Sequence, residues 1–230
     1  MDKTIAVAID GPSGAGKSTM ARAVARQLGY CYVDTGAIYR AVGYYMRLMG
    51  IGPRDTDGVT RLLDEVNLEI EYTPDGVQHM VLNGTDVTGE LRTPEMSHYA
   101  SCVSAIPAVR EYLLEMQRKL ARERSVVMDG RDIGTVVLPE AEVKIFLTAS
   151  SEERARRRYE ELTARGEKTT PEEVLNDLRV RDERDSTRAA APLKQAPDAV
   201  RLDTTGFTVE QSAEKILEIV RKRLAKREAR

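Results

Sequence analysis

Residues 4–9 form a short apolar, β-branched run, and Gly11-Pro12-Ser13-Gly14-Ala15-Gly16-Lys17-Ser18 follows almost at once. No other feature constrains the chain as much. The segment matches GxxxxGK[ST]. Glycines let the backbone turn so that several N–H groups converge on one anion. A helix opening near Lys17 adds the positive end of its dipole. In such a loop the lysine reaches the β- and γ-phosphates of a nucleotide, and the Ser18 hydroxyl ligates Mg²⁺. The preceding strand and a following amphipathic pattern over 18–28 supply the context this mechanism needs. ATP with Mg²⁺ is therefore the expected ligand of the loop.

Four further apolar runs, at 30–33, 125–128, 143–147 and 199–202, resemble the first. Continuous apolar runs of this length read as strands buried on both faces, as in a parallel sheet. Helical patterns lie between them, at 38–48, 109–122, 151–164, 171–185 and 209–227. The alternation predicts an α/β fold with a central five-stranded parallel sheet flanked by helices. One stretch departs from it. In 66–72 apolar Val66, Leu68, Ile70 and Tyr72 alternate with polar residues, the pattern of a half-buried antiparallel strand. Thr73-Pro74-Asp75-Gly76 is a turn, 77–82 a second strand, and Asn83-Gly84 a hairpin signal. A small antiparallel insert over about 60–100 is expected.

With 230 residues the chain exceeds one average domain and falls short of two, which suits a single α/β domain carrying inserted lobes. The net charge of −2 gives no overall field for nucleic acid or a membrane surface. No apolar run approaches the ~18 residues of a membrane span. Cys31 and Cys102 make no disulfide framework and suit a reducing compartment. His79 and His98 lack metal-ligand spacing. The expectation is a cytoplasmic monomer whose partners are small molecules, with a basic 221–230 tail that frays.

Three strands end at aspartates, Asp10, Asp34 and Asp129. Asp34 or Thr35 reads first as a helix cap. Asp129 closes an apolar strand in the Walker B manner and could help hold Mg²⁺, or it could belong to an Asp-Gly turn. Arg131 and Asp132 read equally as a surface ion pair or as ligand contacts. Arg181, Asp185 and Arg188 fall within about 60° of one another on a helix. They form a cationic face for phosphates or a salt-bridged solvated surface. The same two readings apply to Arg154, Arg156, Arg157 and Arg158.

Together the segments IDGPSGAGKST, DTGAIYR, GELRT, DGRDIGTVV, KIFLTASSEERARRR and RDERDSTRAAAPL resemble those of the bacterial cytidylate kinases, within the P-loop nucleoside monophosphate kinases. The likeness runs from Ile5 to the final helix. It implies a core of about 1–60, 101–150 and 186–230. It also implies an acceptor-binding insert at about 60–100, and a lid that starts at Ser151 and reaches to about 185. It implies transfer of a phosphoryl group from ATP to CMP, and to dCMP, in line and with Mg²⁺. A dual UMP/CMP kinase and a non-catalytic nucleotide-binding module are the alternatives. By resemblance, ATP is held by Gly11, Pro12, Ser13, Gly14, Ala15, Gly16, Lys17, Ser18 and Thr19, with Arg157 on its phosphates. Ser101, Arg110 and Asp132 would contact the cytosine. Thr35, Arg40, Arg131 and Arg188 would surround the CMP phosphate, and Arg181 and Asp185 the ribose. Lys17, Arg131, Arg157 and Arg188 would carry catalysis. Ser18 would ligate Mg²⁺ directly, and Asp34 and Asp129 through water.

Overall fold

The computed structural model describes residues 4–228. Residues 1–3 of the expected core and 229–230 of the basic tail lie outside them. Five strands, β1 (Ala6–Asp10), β2 (Cys31–Asp34), β6 (Val126–Gly130), β7 (Val143–Thr148) and β8 (Val200–Asp203), form one sheet in the order β2-β6-β1-β7-β8. Every pairing in it is parallel. β1 and β6 are buried along their whole length, as their unbroken apolar runs require.

Helices cover both faces. On one side α1 (Lys17–Leu28) and α8 (Val209–Glu228) pack together, with Met20, Val24, Ile216 and Val220 meeting Val7, Ile9 and Ile145 of the sheet. On the other, α2 (Thr35–Leu48), α4 (Pro94–Val103) and α5 (Pro107–Glu123) enclose Ile38, Val42, Val109 and Leu113 with Val33 and Met128. The helical pattern of the last segment continues to Glu228.

The second sheet is antiparallel, β3 (Leu68–Tyr72), β4 (Gln78–Leu82) and β5 (Thr85–Asp86). It docks on the edge of the main sheet. The Gln78 carboxamide accepts from the Asp34 N–H (2.8 Å) and donates to the Asp34 carbonyl (3.3 Å), and the Tyr72 hydroxyl donates to the Tyr32 carbonyl (3.1 Å). Around it lie two helices that periodicity does not announce. In α3 (Thr56–Leu62) the Asp55 carboxylate caps Gly58 N–H. In α4, Thr93 caps Met96 N–H, with Pro94 at the first helical position. The remaining helices, α6 (Ser151–Ala164) and α7 (Pro171–Thr187), share a small core of Ala155, Leu162, Val174 and Leu178.

Because the strands are parallel, Asp10, Asp34 and Asp129 are brought to one edge of the sheet: Asp34 pairs in register with Asp129, and Asp10 with Gly130. Ligands of open α/β sheets bind beyond this carboxyl end.

Candidate active site

The loop after β1 is fixed from below. Gly11 has φ +154°, and a Cβ there would lie 2.0 Å from the Leu147 carbonyl oxygen. Only glycine fits so close to β7. Lys17 opens α1, is 6% exposed, and donates from Nζ to the Pro12 carbonyl at 2.7 Å. Burial, then the nearby Arg131 charge, pulls its ammonium well below the usual lysine range. Ser18 donates from Oγ to Asp129 Oδ2 at 3.0 Å, and the Tyr32 hydroxyl donates to Oδ1 at 2.8 Å. Burial and the neighbouring Asp34 charge raise Asp129 to about 6. The hydrogen bonds to this buried carboxylate come from neutral hydroxyls, and the field of Lys17 only partly offsets its burial. With Ser18, Asp129 offers the hard oxygen donors that suit Mg²⁺.

Above the loop opens a cavity of about 450 Å³. Lys17 and nine arginines line it, against five carboxylates. The chain as a whole is slightly acidic, so this concentration of positive charge is local. The cluster opposite the loop is built by long-range pairing. Arg131 Nε donates to Asp185 Oδ2 at 2.7 Å, and Arg181 lies 4.0 Å from the same oxygen. Asp132 pairs with Arg110, and its Oδ1 lies 3.5 Å from Arg188. Arg188 follows the last turn of α7, yet its guanidinium still reaches the Ala191 carbonyl (2.8 Å) and Ser104 Oγ (3.2 Å). Burial, then Arg131, pushes Arg181 down to about 10, and burial, then Arg110, lowers Arg188. Buried Nε atoms of Arg40 and Arg181 and Nη2 of Arg188 have no hydrogen-bond partner among the described residues. Two of these atoms still face carboxylates, at 3.5 and 4.0 Å, but cationic donors left without a hydrogen bond around a cavity suit an anion there.

The sequence matches that of a known group. A family model described as cytidylate kinase matches residues 7–222. The chain belongs to the cytidylate kinase family. A cytidylate kinase of Carboxydothermus hydrogenoformans is 51% identical over 93% of this chain and 96% of its own. One of Bacillus licheniformis is 47% identical over 98% of this chain and 100% of its own. A solved structure of an uncharacterized protein from Eubacterium ventriosum shares the fold, with a TM-score of 0.55 and 15% identity over 96% of this chain and 99% of that one.

Within this family member, the residues singled out in the sequence take different places. Thr19, Thr35, Arg40, Ser101, Arg110, Arg131, Asp132, Arg181, Asp185 and Arg188 all line the cavity. The Thr35 hydroxyl donates to the Asp129 carbonyl at 2.7 Å, so it also joins α2 to β6. Asp34 caps α2 by accepting from Ala37 N–H and holds Arg40 at 2.9 Å. Arg157 is not in the cavity lining. It donates from Nη2 to the Thr204 carbonyl (2.7 Å) and lies beside Gly16. From α6 the lining takes Arg158 and Glu161, together with Arg165, the residue that caps its C-terminus.

Sequence reasoning passed over Tyr32, Asp10 and Tyr39. Tyr32 is read as plain strand, yet it holds Asp129. Tyr39 is buried with Arg110 stacked over its ring at 5.6 Å. The aspartate closing β1 was the one available signal for Asp10. Its two carboxylate oxygens accept from Ile133 N–H (2.8 Å) and Gly134 N–H (2.7 Å), fixing the turn that carries Arg131 and Asp132.

Burial is the main cause that raises Asp10 to about 6, although both backbone bonds oppose it. Its carboxyl therefore binds a proton more tightly folded than unfolded. The stability it contributes is full at low pH and is lost as pH rises through about 6. Asp10 is therefore expected to add a stabilising slope as pH falls from 8 to 6. Asp10→Asn should flatten that slope whatever it does to absolute stability. Urea midpoints across this range check it, and an unchanged slope in the variant rules out Asp10 as its source.

Proposed function

We propose that the chain catalyses transfer of the γ-phosphoryl group of ATP to a phosphate oxygen of CMP, giving ADP and CDP, and that it also accepts dCMP. One observation carries this reading. A single cavity has a phosphate loop at one pole and a cluster of partly orphaned arginines, tied to Asp132 and Asp185, at the other. One anion on each side places an acceptor oxygen in line with the γ-phosphorus, and the bond from phosphorus to the ADP oxygen breaks as the new one forms. The CMP oxygen is already anionic, so no general base is required. Catalysis is then mostly positioning and charge stabilisation.

In this reading Gly11 to Thr19 cradle the ATP phosphates, with Lys17 on the β- and γ-oxygens. Arg131, Arg181 and Arg188 spread the charge of the transferring group. Arg40 takes the CMP phosphate, Ser101, Arg110 and Asp132 the base, and Asp185 with Arg181 the ribose. Arg157, against Thr204, flanks ATP near Gly16. Mg²⁺ would be held by Ser18 and Asp129, with Asp34 acting through water; when bound it neutralises phosphate charge. The lobe of α6 and α7 brings Arg158 and Arg165 over the cavity and would exclude water from it, suppressing ATP hydrolysis. Residues 60–100 serve as the acceptor lobe. Both poles are built from one chain, so a monomer suffices. Its thiols, Cys31 and Cys102, are free, which fits the cytoplasm.

A coupled assay with ATP and each of CMP, dCMP, UMP and AMP tests the proposal. CMP and dCMP are expected to turn over, with UMP and AMP well behind. Equal use of UMP would make the enzyme a dual-specificity kinase. No turnover with any acceptor, in protein that binds ATP, would make it a binding module.

A further inference from the structure

We propose that Arg154 and Asp182 form a positioning pair that couples the phosphate loop to the acceptor side of the cavity. The proposal rests on the reading of that loop as the ATP site. Neither side chain lines the cavity, yet both hold the loop at one residue, Ser13. The Ser13 carbonyl accepts from Arg154 Nη1 at 3.0 Å, and the Ser13 N–H donates to Asp182 Oδ1 at 3.3 Å. Arg154 Nη1 also donates to Asp182 Oδ2 at 2.5 Å, which closes a three-membered network.

Arg154 is an anchor rather than a surface charge. It is 6% exposed, and its remaining donors reach the Ala149 carbonyl (3.1 Å) and Ser151 Oγ (3.2 Å) at the start of α6. The loop lies hard against this helix, since a Cβ on Gly14 would sit 3.0 Å from the Arg154 carbonyl oxygen. On its other side Ser13 adjoins Pro12, whose carbonyl takes the Lys17 ammonium. The position of Ser13 thus sets both where Lys17 points and how the loop meets α6.

Asp182 extends this connection to the acceptor side. On α7 it is next to Arg181 and three residues before Asp185. Those two face the cavity, and Asp185 grips Arg131. One helix therefore presents Arg181 and Asp185 to the acceptor and, about 60° round from Asp185, Asp182 to the donor loop. A helix is a stiff element. A shift of Ser13 when phosphate fills the loop moves Asp182, and with it Arg181 and Asp185. Occupancy of one pole should then change affinity at the other, and linkage makes the effect reciprocal.

The test measures that coupling in the full-length protein. CMP is titrated calorimetrically, alone and with a saturating β,γ-imido analogue of ATP and Mg²⁺, for wild type, Asp182→Ala, Asp182→Asn and Asp182→Glu. In the wild type the analogue is expected to tighten CMP binding by a factor in the range of about 5–150. In Asp182→Ala the factor should fall to within about twofold of one, while CMP alone binds within about threefold of wild type. Asp182→Glu should restore part of the coupling. If Asp182→Ala does not fold, Asp182→Asn decides, because it keeps an acceptor for Ser13 and loses the charge that Arg154 needs; its factor should drop at least about threefold. A wild-type factor retained in these variants overturns the proposal. So does an equal loss of CMP and analogue binding with a lowered melting temperature, which marks a general structural role. A wild type that binds no ATP analogue overturns the reading of the loop itself, and the pair's role with it.

Discussion

Lys17→Ala is expected to lower turnover by about 10³–10⁵, the range seen when one cationic contact to a transferring phosphoryl group is lost. The structure sharpens this expectation in two ways. Lys17 is 6% exposed and hydrogen-bonded within its own loop, so its ammonium is already placed before any ligand arrives. Its proton is also held loosely, chiefly because of burial and the Arg131 charge. An ammonium of this kind gains more from an incoming phosphate than a solvated one would. The same burial means that removing the charge costs the empty protein little. Loss of desolvation offsets loss of one hydrogen bond and of the field on Asp129. Lys17→Ala should therefore fold, melt close to wild type, and still bind CMP at the far pole. Purified variant with near-normal turnover would exclude the loop as the ATP site. Variant that also loses CMP binding would show that Lys17 supports the whole cavity rather than the donor pole.

The parts of this molecule that were legible in the sequence share a physical reason. Strands buried on both faces are apolar, so β1 and β6 stand out, with the shorter β2 at the sheet edge, and a parallel arrangement then places the aspartates that end these three strands together. The β3–β4 hairpin was legible because one of its faces is wet, which writes alternation into 66–72. Helix α4 left a weaker trace. Its burial alternates poorly with helical period, and only Thr93 as cap and Pro94 after it mark its start. Helix α3 is short and carries Gly58, which argues against helix on propensity alone.

The arginines of α6 show where pattern reading stops. Residues 154 and 156–158 spread over roughly 200° of the helix circumference, and the sequence does not say which direction is inward. The fold sends Arg154 under the phosphate loop, Arg156 to Glu153 and Glu160 in solvent, Arg157 to Thr204, and Arg158 to the cavity. Asp132 shows the same limit. Its neighbour in sequence is Arg131, but Arg131 goes to Asp185, and Asp132 takes Arg110 and Arg188 from two other elements. Only tertiary packing decides such pairings.

Asp132 is also the residue whose substitution should most change what the enzyme accepts. Cytosine presents an amino donor where uracil presents a carbonyl. A carboxylate accepts from the first and meets the second as a like-polarity group. One such contact discriminates by about 1–3 kcal/mol, or roughly 5–150-fold. The carboxylate of Asp132 is 5% exposed and lies between Arg110, 10% exposed, and Arg188, 5% exposed. Asp132→Ala would leave two buried guanidiniums without their partner, a loss of about 3–5 kcal/mol in stability. That change alone would mask any effect on the base. Asp132→Asn is the cleaner probe. It keeps the shape and one acceptor for Arg110, and its amide can turn to donate to the uracil carbonyl. In Asp132→Asn the ratio of kcat/KM for CMP over UMP should fall by roughly 5–150-fold, mostly through weaker use of CMP. If Asp132 acts only as the counter-charge of Arg110 and Arg188, both substrates lose equally and the ratio stays at its wild-type value. Measuring CMP and UMP on the same preparation, with its melting temperature, separates the two: a fallen ratio in a folded variant assigns Asp132 to the base, and an unchanged ratio removes it from base recognition.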